Sequence, residues 1–262
     1  TDILDWKTDR KFLIFISDDW GGVRIRSEEA RRKLIEAGIN MGTSRFDRFD
    51  ILESNREMES LYEVLLSYKD HKGNHPVFTA AVNVANPDFE KIRNSDFNEY
   101  FYEPFTETLK KYPYSGKVYE LYKQGIESRI FVPECHGREH LNVKWWLEYL
   151  RKGNEVVLKA FDQEYWYIGR KQLSNPLHRS LAAAFDISSP DELEFQKEIV
   201  IDMAELFKKI FGYSATLFVP PSQSYHENIE YALSDAGFKM IDVPKFRKMP
   251  KGSGKYSYRL HI

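Results

Sequence analysis

The chain has 262 residues, of which 42% are hydrophobic and 30% are charged, and its formal net charge is −2. This composition excludes a disordered chain, and the charge balance argues against a nucleic-acid partner. The apolar runs are far shorter than the ~20 residues that a membrane span needs, and a single cysteine, Cys135, excludes an intramolecular disulfide. We therefore expect a soluble protein without a membrane span. A cytoplasmic location is favoured, although a chain that begins at Thr1 without methionine leaves a cleaved leader open.

Short apolar runs alternate with helical patterns along the whole chain. The predicted strands cover residues 11–16, 76–84, 128–132, 215–219 and 238–243. The predicted helices cover residues 27–37, 54–67, 103–112, 117–125, 189–211 and 227–235, with a further helix through Trp145, Trp146 and Leu150. Such alternation predicts an α/β fold with a mostly parallel sheet. We expect one domain over residues 1–262, a distorted β/α barrel with insertions at about 85–126 and 153–189.

Residues able to bind a metal follow two of the predicted strands. Asp18 and Asp19 come just after the first strand, and His136 and His140 come just after the third. Functional groups in α/β folds collect at the carboxyl ends of strands, so these residues should meet at one edge of the sheet. Histidines four residues apart on a helical turn face the same side, so His136 and His140 can share one ion with a carboxylate. The sequence therefore predicts a metal site that activates water.

The same segment also fits another metal motif. The run from His136 to His140 matches H-x-x-E-H, a zinc-peptidase pattern in which Glu139 would be the base. That mechanism needs a long helix, whereas this motif follows a strand directly and has Pro133 and Gly137 around it. A peptidase would also leave the two aspartates without a role. We keep the peptidase as an alternative and prefer the site that uses Asp18 and Asp19.

The order of the motifs resembles a known family. Ser17-Asp18-Asp19, then the two histidines, then a strand ending in Pro220-Pro221 before a helix and Ala236-Gly237-Phe238, is similar to the polysaccharide deacetylases of carbohydrate esterase family 4. The resemblance covers roughly residues 11–243. It implies the NodB-homology fold, a distorted β/α barrel, and the removal of acetyl groups from an acetylated polysaccharide or oligosaccharide.

The resemblance also assigns roles to individual residues. It implies that Asp18 is the general base and that Asp19, His136 and His140 hold one divalent metal ion. That ion is zinc in many members, and cobalt, nickel or iron also suits these ligands. A histidine near the end acts as general acid in the family, which makes His261 the candidate here and His226 the runner-up.

A departure from the family pattern affects this expectation. The family has an arginine shortly before the prolines, where this chain has Phe218 and Val219. Arg24 or Arg259 would have to substitute from elsewhere. A catalytically impaired, carbohydrate-binding pseudoenzyme on the same fold is therefore the second hypothesis.

Three residues are expected to contact the saccharide. Trp20 stands beside the aspartates, and Pro220 and Tyr225 belong to the loop after the later strand. Aromatic rings offer flat apolar faces on which sugar rings stack, although such rings are equally common in protein cores. The sequence does not name the sugar, the linkage or the oligomeric state.

Overall fold

The computed structural model describes Asp9 and residues 11–41, 46–173 and 180–260, apart from the side chains of Arg48 and Arg170. The strands are β1 (Phe15–Trp20), β2 (Phe78–Asn83), β3 (Ala85–Pro87), β4 (Tyr102–Pro104), β5 (Phe131–Gly137), β6 (Leu217–Phe218), β7 (Met240–Ile241), β8 (Phe246–Gly252) and β9 (Lys255–Leu260). The helices are α1 (Glu28–Glu36), α2 (Phe46–Phe49), α3 (Asn55–Ser67), α4 (Phe89–Asn94), α5 (Phe105–Leu109), α6 (Val118–Glu127), α7 (Val143–Arg151), α8 (Glu155–Phe161), α9 (Arg170–Leu173), α10 (Glu192–Phe211) and α11 (Ile229–Asp235). A short 3₁₀ turn, Pro221–Gln223, follows β6.

The central sheet has the strand order β1-β2-β5-β6-β7, and each neighbouring pair is parallel. Helices connect these strands, so the prediction of an α/β fold with a parallel sheet is confirmed. The predicted barrel is not seen: within the described part of the chain the sheet stays open, with β1 and β7 at its edges. Two antiparallel pairs, β3-β4 and β8-β9, lie outside this sheet.

Helix boundaries follow the capping signals in the sequence. Ser27 caps α1 by accepting a hydrogen bond from Ala30 N. Ser54 and Glu57 form a reciprocal capping box at the start of α3, which satisfies two backbone N–H groups that a helix start leaves unpaired. Gly212 ends α10 in the left-handed conformation. These ends agree with the predicted helices to within a few residues.

The first strand differs from its prediction. The apolar run before the aspartates was expected to be buried, yet Leu13 is 80% exposed and Ile14 is 73% exposed. Strand β1 begins only at Phe15 and pairs with β2 alone, so its other edge has no strand beside it in the described chain. A continuous apolar run therefore does not distinguish an edge strand from a central one.

The segments predicted as insertions belong to the packed structure. Residues 85–126 supply β3, β4 and α4–α6, and residues 153–189 supply α8 and α9. Trp146 and Phe161 are fully buried in one shared apolar cluster, together with other residues of α7 and α8. None of the helices in the described residues is long and apolar enough to cross a bilayer.

Candidate metal centre

Three predicted metal ligands meet at the carboxyl edge of the central sheet. Asp19 lies near the end of β1, His136 lies near the end of β5, and His140 follows in the next turn. Asp19 Oδ1 is 3.2 Å from His136 Nε2 and 3.5 Å from His140 Nε2. One ligand atom from each residue lies within 4.8 Å of the others. The structure thus brings together residues separated by more than a hundred positions, while their role as ligands stays a prediction.

The reason for the convergence differs from the one predicted. The histidines were expected just past the strand and on a helical turn. Instead β5 runs on through His136 to Gly137, and the chain then bends, so that His140 lies in an irregular turn before α7. The two imidazole centroids are 5.0 Å apart. The bend after Gly137, rather than helical spacing, brings His140 back towards His136.

Hydrogen bonding fixes the tautomer of His136. Its Nδ1 lies 2.7 Å from the backbone oxygen of Val219, which can only accept, so Nδ1 carries the proton. In the neutral imidazole Nε2 then carries the lone pair, and this atom faces Asp19 Oδ1 at 3.2 Å. A histidine that binds a metal typically donates its other N–H to a carbonyl or carboxylate in this way.

The two donor separations from Asp19 match a zinc site. Two atoms at ~2.0–2.1 Å from a tetrahedral zinc ion lie roughly 3.3 Å apart. The two measured separations from Asp19 Oδ1, 3.2 and 3.5 Å, fall on either side of that value. Two imidazoles and one carboxylate leave a fourth position open, which is typical of a catalytic rather than a structural zinc site.

The electrostatics of the cluster favour an ionised Asp19 beside an unprotonated His140. Burial alone would raise the pKa of Asp19. The hydrogen bond from His136 and the charges of His140, His136 and Arg24 outweigh that effect and hold the pKa below its usual value. Burial lowers the pKa of His140 to about 4, against the attraction of Asp19. An ionised carboxylate and unprotonated imidazoles are the forms that bind a metal.

Arg24 connects the cluster to a second aspartate. Its buried guanidinium donates from Nε to Asp50 Oδ2 at 2.7 Å, and Nη2 lies 4.0 Å from Asp19 Oδ2. Burial raises the pKa of Asp50 to about 6, although the charge of Arg24 opposes the rise. Arg259, the other arginine considered from the sequence, lies in β9 and is exposed.

A buried network holds the turn that carries Asp19. Asp19 itself has a φ of 69°, a left-handed conformation that is uncommon outside glycine. Gly21 N donates to both oxygens of Glu53, and Asn86 accepts from Val23 N while donating to Gly21 O. Glu53 and Asn86 were not predicted from the sequence, because nothing in the local pattern around either residue indicates a partner more than thirty positions away.

We expect Gly21→Ala to destabilise the protein more than Gly73→Ala does. Both glycines have a positive φ, 71° and 84°, so the backbone cost is similar. A Cβ at Gly21 would lie 2.6 Å from Asn83 O, whereas one at Gly73 would have nothing within 4 Å. The extra loss in unfolding free energy should be about 1–3 kcal/mol, the usual cost of overpacking. Urea unfolding measures both variants, and equal losses would contradict the predicted clash.

The buried carboxyl of Glu53 gives stability a pH dependence. Burial raises its pKa, in spite of the hydrogen bonds from Tyr122 and Gly21 N. At pH values between the ordinary pKa of a glutamate and the raised pKa of Glu53, the folded state therefore binds more protons than the unfolded state. The stabilisation that this protonation gives the folded state is lost as pH rises through the raised pKa. Relative to Glu53→Gln, the wild-type protein should lose unfolding free energy as pH rises. Urea unfolding from pH 4 to pH 8 tests this, and a constant difference between the two proteins would refute it.

The residues predicted to contact the saccharide are packed into the protein. Trp20 packs edge-on against Phe78 and Phe131, at 5.7 and 5.3 Å between ring centroids. Tyr225 is 1% exposed, and the Arg247 guanidinium covers its ring at 3.6 Å. This corrects the stacking role predicted for Tyr225, because its ring has no face free for a sugar.

The other predicted residues have different outcomes. Pro220 is buried, directly after Val219, whose backbone oxygen binds His136. His226 is partly exposed and accepts a hydrogen bond from Asn228 N. Asp18 is exposed at the end of β1, next to Asp19. His261, the predicted general acid, lies outside the described residues.

The geometry of Glu139 disfavours the peptidase alternative. Its side chain is buried and paired with Arg138 through two contacts, Nε–Oε2 at 2.8 Å and Nη2–Oε1 at 3.1 Å. Arg138 also donates to Asp202 at 2.7 Å, and its guanidinium lies over the Tyr102 ring. Glu139 is thus a partner in a buried ion pair and is not positioned to act as a base.

Replacing Arg138 with methionine should lower the unfolding free energy by about 3–5 kcal/mol, because the charge of Glu139 would be left buried and unpaired. The exposed pair of Arg32 and Glu36 provides the control, since Arg32→Met should cost less than about 0.5 kcal/mol. Urea unfolding measures both. The double variant Arg138→Met/Glu139→Leu should recover part of the loss, and a double variant less stable than the sum of the two single changes would contradict the coupling.

Comparison with known families identifies the chain. The model of glycosyl hydrolase family 57 matches residues 53–262. The chain belongs to glycosyl hydrolase family 57. The match includes His136 and His140 but not Asp18 or Asp19. The predicted membership of the polysaccharide deacetylases of carbohydrate esterase family 4 is therefore wrong, and the family that the chain does belong to is named for glycosyl hydrolases.

Other comparisons of this family 57 chain are weak. A search of curated proteins finds no match. A polysaccharide deacetylase from Bacillus cereus matches with 13% identity and a TM-score of 0.35, covering 89% of this chain and 57% of that one. A de-N-acetylase from Aggregatibacter actinomycetemcomitans matches with 10% identity and a TM-score of 0.40, covering 87% and 84%. This chain thus spans little more than half of the Bacillus protein, and scores this low do not establish a common fold.

Proposed function

We propose that the protein is a metal-dependent hydrolase that removes acetyl groups from a saccharide. The observation that carries the proposal is that Asp19 Oδ1 lies 3.2 and 3.5 Å from the Nε2 atoms of His136 and His140, with all three ligand atoms within 4.8 Å of one another. The family supports a saccharide as the substrate. The open fourth position supports hydrolysis rather than a structural role for the ion.

Each residue of the cluster has a distinct task in this proposal. Asp19, His136 and His140 hold the ion, and the hydrogen bond to Val219 O keeps the His136 ring in the orientation that directs Nε2 inward. A divalent ion bound there supplies a Lewis acid and lowers the pKa of water from ~15.7 towards ~7. Arg24 neutralises part of the negative charge on Asp19 and Asp50, which keeps both carboxylates ionised in a partly buried site.

Asp18 is the proposed general base. It is exposed beside the cluster and has no hydrogen bond or ion pair within the described residues that would compete for its carboxylate. It would take a proton as water adds to the acetyl carbonyl. The bond between the acetyl carbon and the sugar nitrogen or oxygen then breaks, the proton passes to the leaving group, and acetate is released.

Cleavage of a glycosidic bond is the second candidate, and the family name favours it. Such enzymes use two carboxyl groups with opposed pKa shifts. Asp19 and Asp50, bridged by Arg24, have such shifts. Asp50, however, is bound at 2.7 Å to Arg24, and Asp19 contacts two imidazoles, so neither is free to attack or protonate a sugar. The acetyl-removing function therefore has more support.

One assay separates the candidates. The purified protein is analysed for metal by mass spectrometry and then incubated with tetramers of N-acetylglucosamine and with acetylated xylan fragments, while both acetate and new reducing ends are measured. Metal-dependent acetate release supports the proposal. New reducing ends without acetate favour glycosidic cleavage. Saccharide binding without either product, in a protein that takes up no zinc, would favour the carbohydrate-binding pseudoenzyme.

A further inference from the structure

Two aromatic rings adjoin the metal centre through Arg24. The Arg24 guanidinium, whose Nη2 is 4.0 Å from Asp19 Oδ2, lies 4.5 Å from the centroid of the Tyr167 ring and 5.2 Å from that of Phe46. Phe46 comes from α2 and Tyr167 from the segment between α8 and α9. Neither was considered in the sequence analysis, because both lie far from the metal-binding motifs in sequence.

These rings are more exposed than the two aromatic residues that precede Tyr167 in the chain. Phe46 is 43% exposed and Tyr167 is partly exposed, whereas the adjacent Tyr165 and Trp166 are only 2% and 5% exposed. Trp166 stacks on His140, and its Nε1 donates to Val23 O. Its ring is therefore a buried support for His140. Phe46 and Tyr167 therefore present part of their surface to solvent, and Arg24 connects both rings to Asp19.

The two chain segments are held together by a buried aspartate. Asp47, one residue after Phe46, is 4% exposed, and its Oδ1 accepts a hydrogen bond from Tyr165 OH at 3.2 Å. Its backbone oxygen accepts from Arg31 Nε at 3.3 Å. Phe46 and Tyr167 are thus anchored by their immediate neighbours, and an anchored surface loses less conformational entropy when it binds a ligand.

The charge pattern indicates which ligand these rings suit. Arg24 already faces Asp50 and Asp19, so its positive charge is met within the protein. A further anion is not required there. An uncharged sugar ring has an apolar C–H face that packs on aromatic rings and hydroxyl groups that accept from a guanidinium.

We propose that Phe46 and Tyr167 form an aromatic platform on which an uncharged sugar ring of the substrate stacks, next to Asp19. This inference rests on the proposed function for the location of the reaction. It assigns to these two residues the substrate contact that the sequence had suggested for Trp20 and Tyr225.

Binding to the metal-free protein tests the platform separately from the reaction. After chelation, binding is measured by tryptophan fluorescence with tetramers of N-acetylglucosamine, xylose and α-linked glucose. We expect Tyr167→Leu and Phe46→Leu each to weaken the binding of whichever tetramer the wild-type protein binds by about three- to tenfold. Tyr167→Phe should retain most of the affinity because it keeps the ring. Phe49→Leu is the matched control, since Phe49 lies on the same short helix, is 77% exposed and has no ring contact with Arg24 in the described structure.

The outcomes are distinguishable from those that test the reaction. Unchanged affinity in both leucine variants, or an equal loss in Phe49→Leu, would overturn the platform. Failure of the wild-type protein to bind any of the tetramers would overturn it as well. A protein that binds saccharide through these rings but neither takes up metal nor releases acetate would leave the platform standing and remove the proposed function.

Discussion

Replacing His140 with alanine is expected to abolish metal binding and hydrolysis while leaving the fold intact. His140 provides one of three donors, and loss of even an outer-shell partner typically costs ~10–100-fold in metal affinity. His140 is also the better of the two histidines for this test. The His136 ring is fully buried and binds Val219 O, so its removal would leave a cavity and an unpaired carbonyl.

The measurement is the zinc content of the purified variant, with zinc affinity measured by competition with a chromophoric chelator. The wild-type protein should hold about one ion per chain and His140→Ala close to none. His75→Ala is the control. His75 precedes β2, at the amino ends of the parallel strands, and its ring contacts the backbone oxygen of Tyr68. Equal zinc content in all three proteins would show that the ion, if present, is held elsewhere.

The order of the elements could be predicted because it depends on local signals. Ser27, the capping box at Ser54 and the left-handed Gly212 each determine a helix end through contacts within a few residues. The burial of the strands could not be predicted in the same way. Leu13 and Ile14 are as apolar as any core residue, yet they precede β1, an edge strand of the described sheet, and are exposed.

The metal cluster could be predicted in part. Strand ends collect at one edge of a parallel sheet, which is a general rule, and Asp19 and His136 obey it. The proton on His136 Nδ1 depends on Val219, 83 positions away, and the turn at Gly21 depends on Glu53, 32 positions away. Such long-range hydrogen bonds have no signature in the sequence around either partner.

The wrong assignment to the deacetylase family has a related cause. The resemblance rested on short motifs, S-D-D and H-x-x-x-H, in a particular order along the strand ends. The same few ligands suit a hydrolytic metal in any fold that places strand ends together. The family 57 model instead matches residues 53–262, a pattern spread over most of the chain. Short motifs of this kind therefore do not identify the family.

The two adjacent aspartates should differ sharply in what they do, and Asp18→Asn shows this best. Asparagine has nearly the same shape as aspartate but cannot take a proton, so we expect acetate release to fall by about 10²–10⁴-fold, the usual contribution of a general base. Zinc content should stay at the wild-type level, because Asp19, and not Asp18, contacts the histidines. Asp19→Asn is the matched change: it should reduce zinc binding as well as acetate release.

Single-turnover acetate release and zinc content, measured on the same preparations, separate the two roles. Loss of zinc in Asp18→Asn would assign that residue to the ion and remove it as the base. Full activity in Asp18→Asn would show that another group accepts the proton and would remove Asp18 as the base. The left-handed backbone at Asp19, with a φ of 69°, is consistent with separate roles for the two aspartates. It interrupts the alternation of side chains between the two faces of β1 at the residue that must face the histidines.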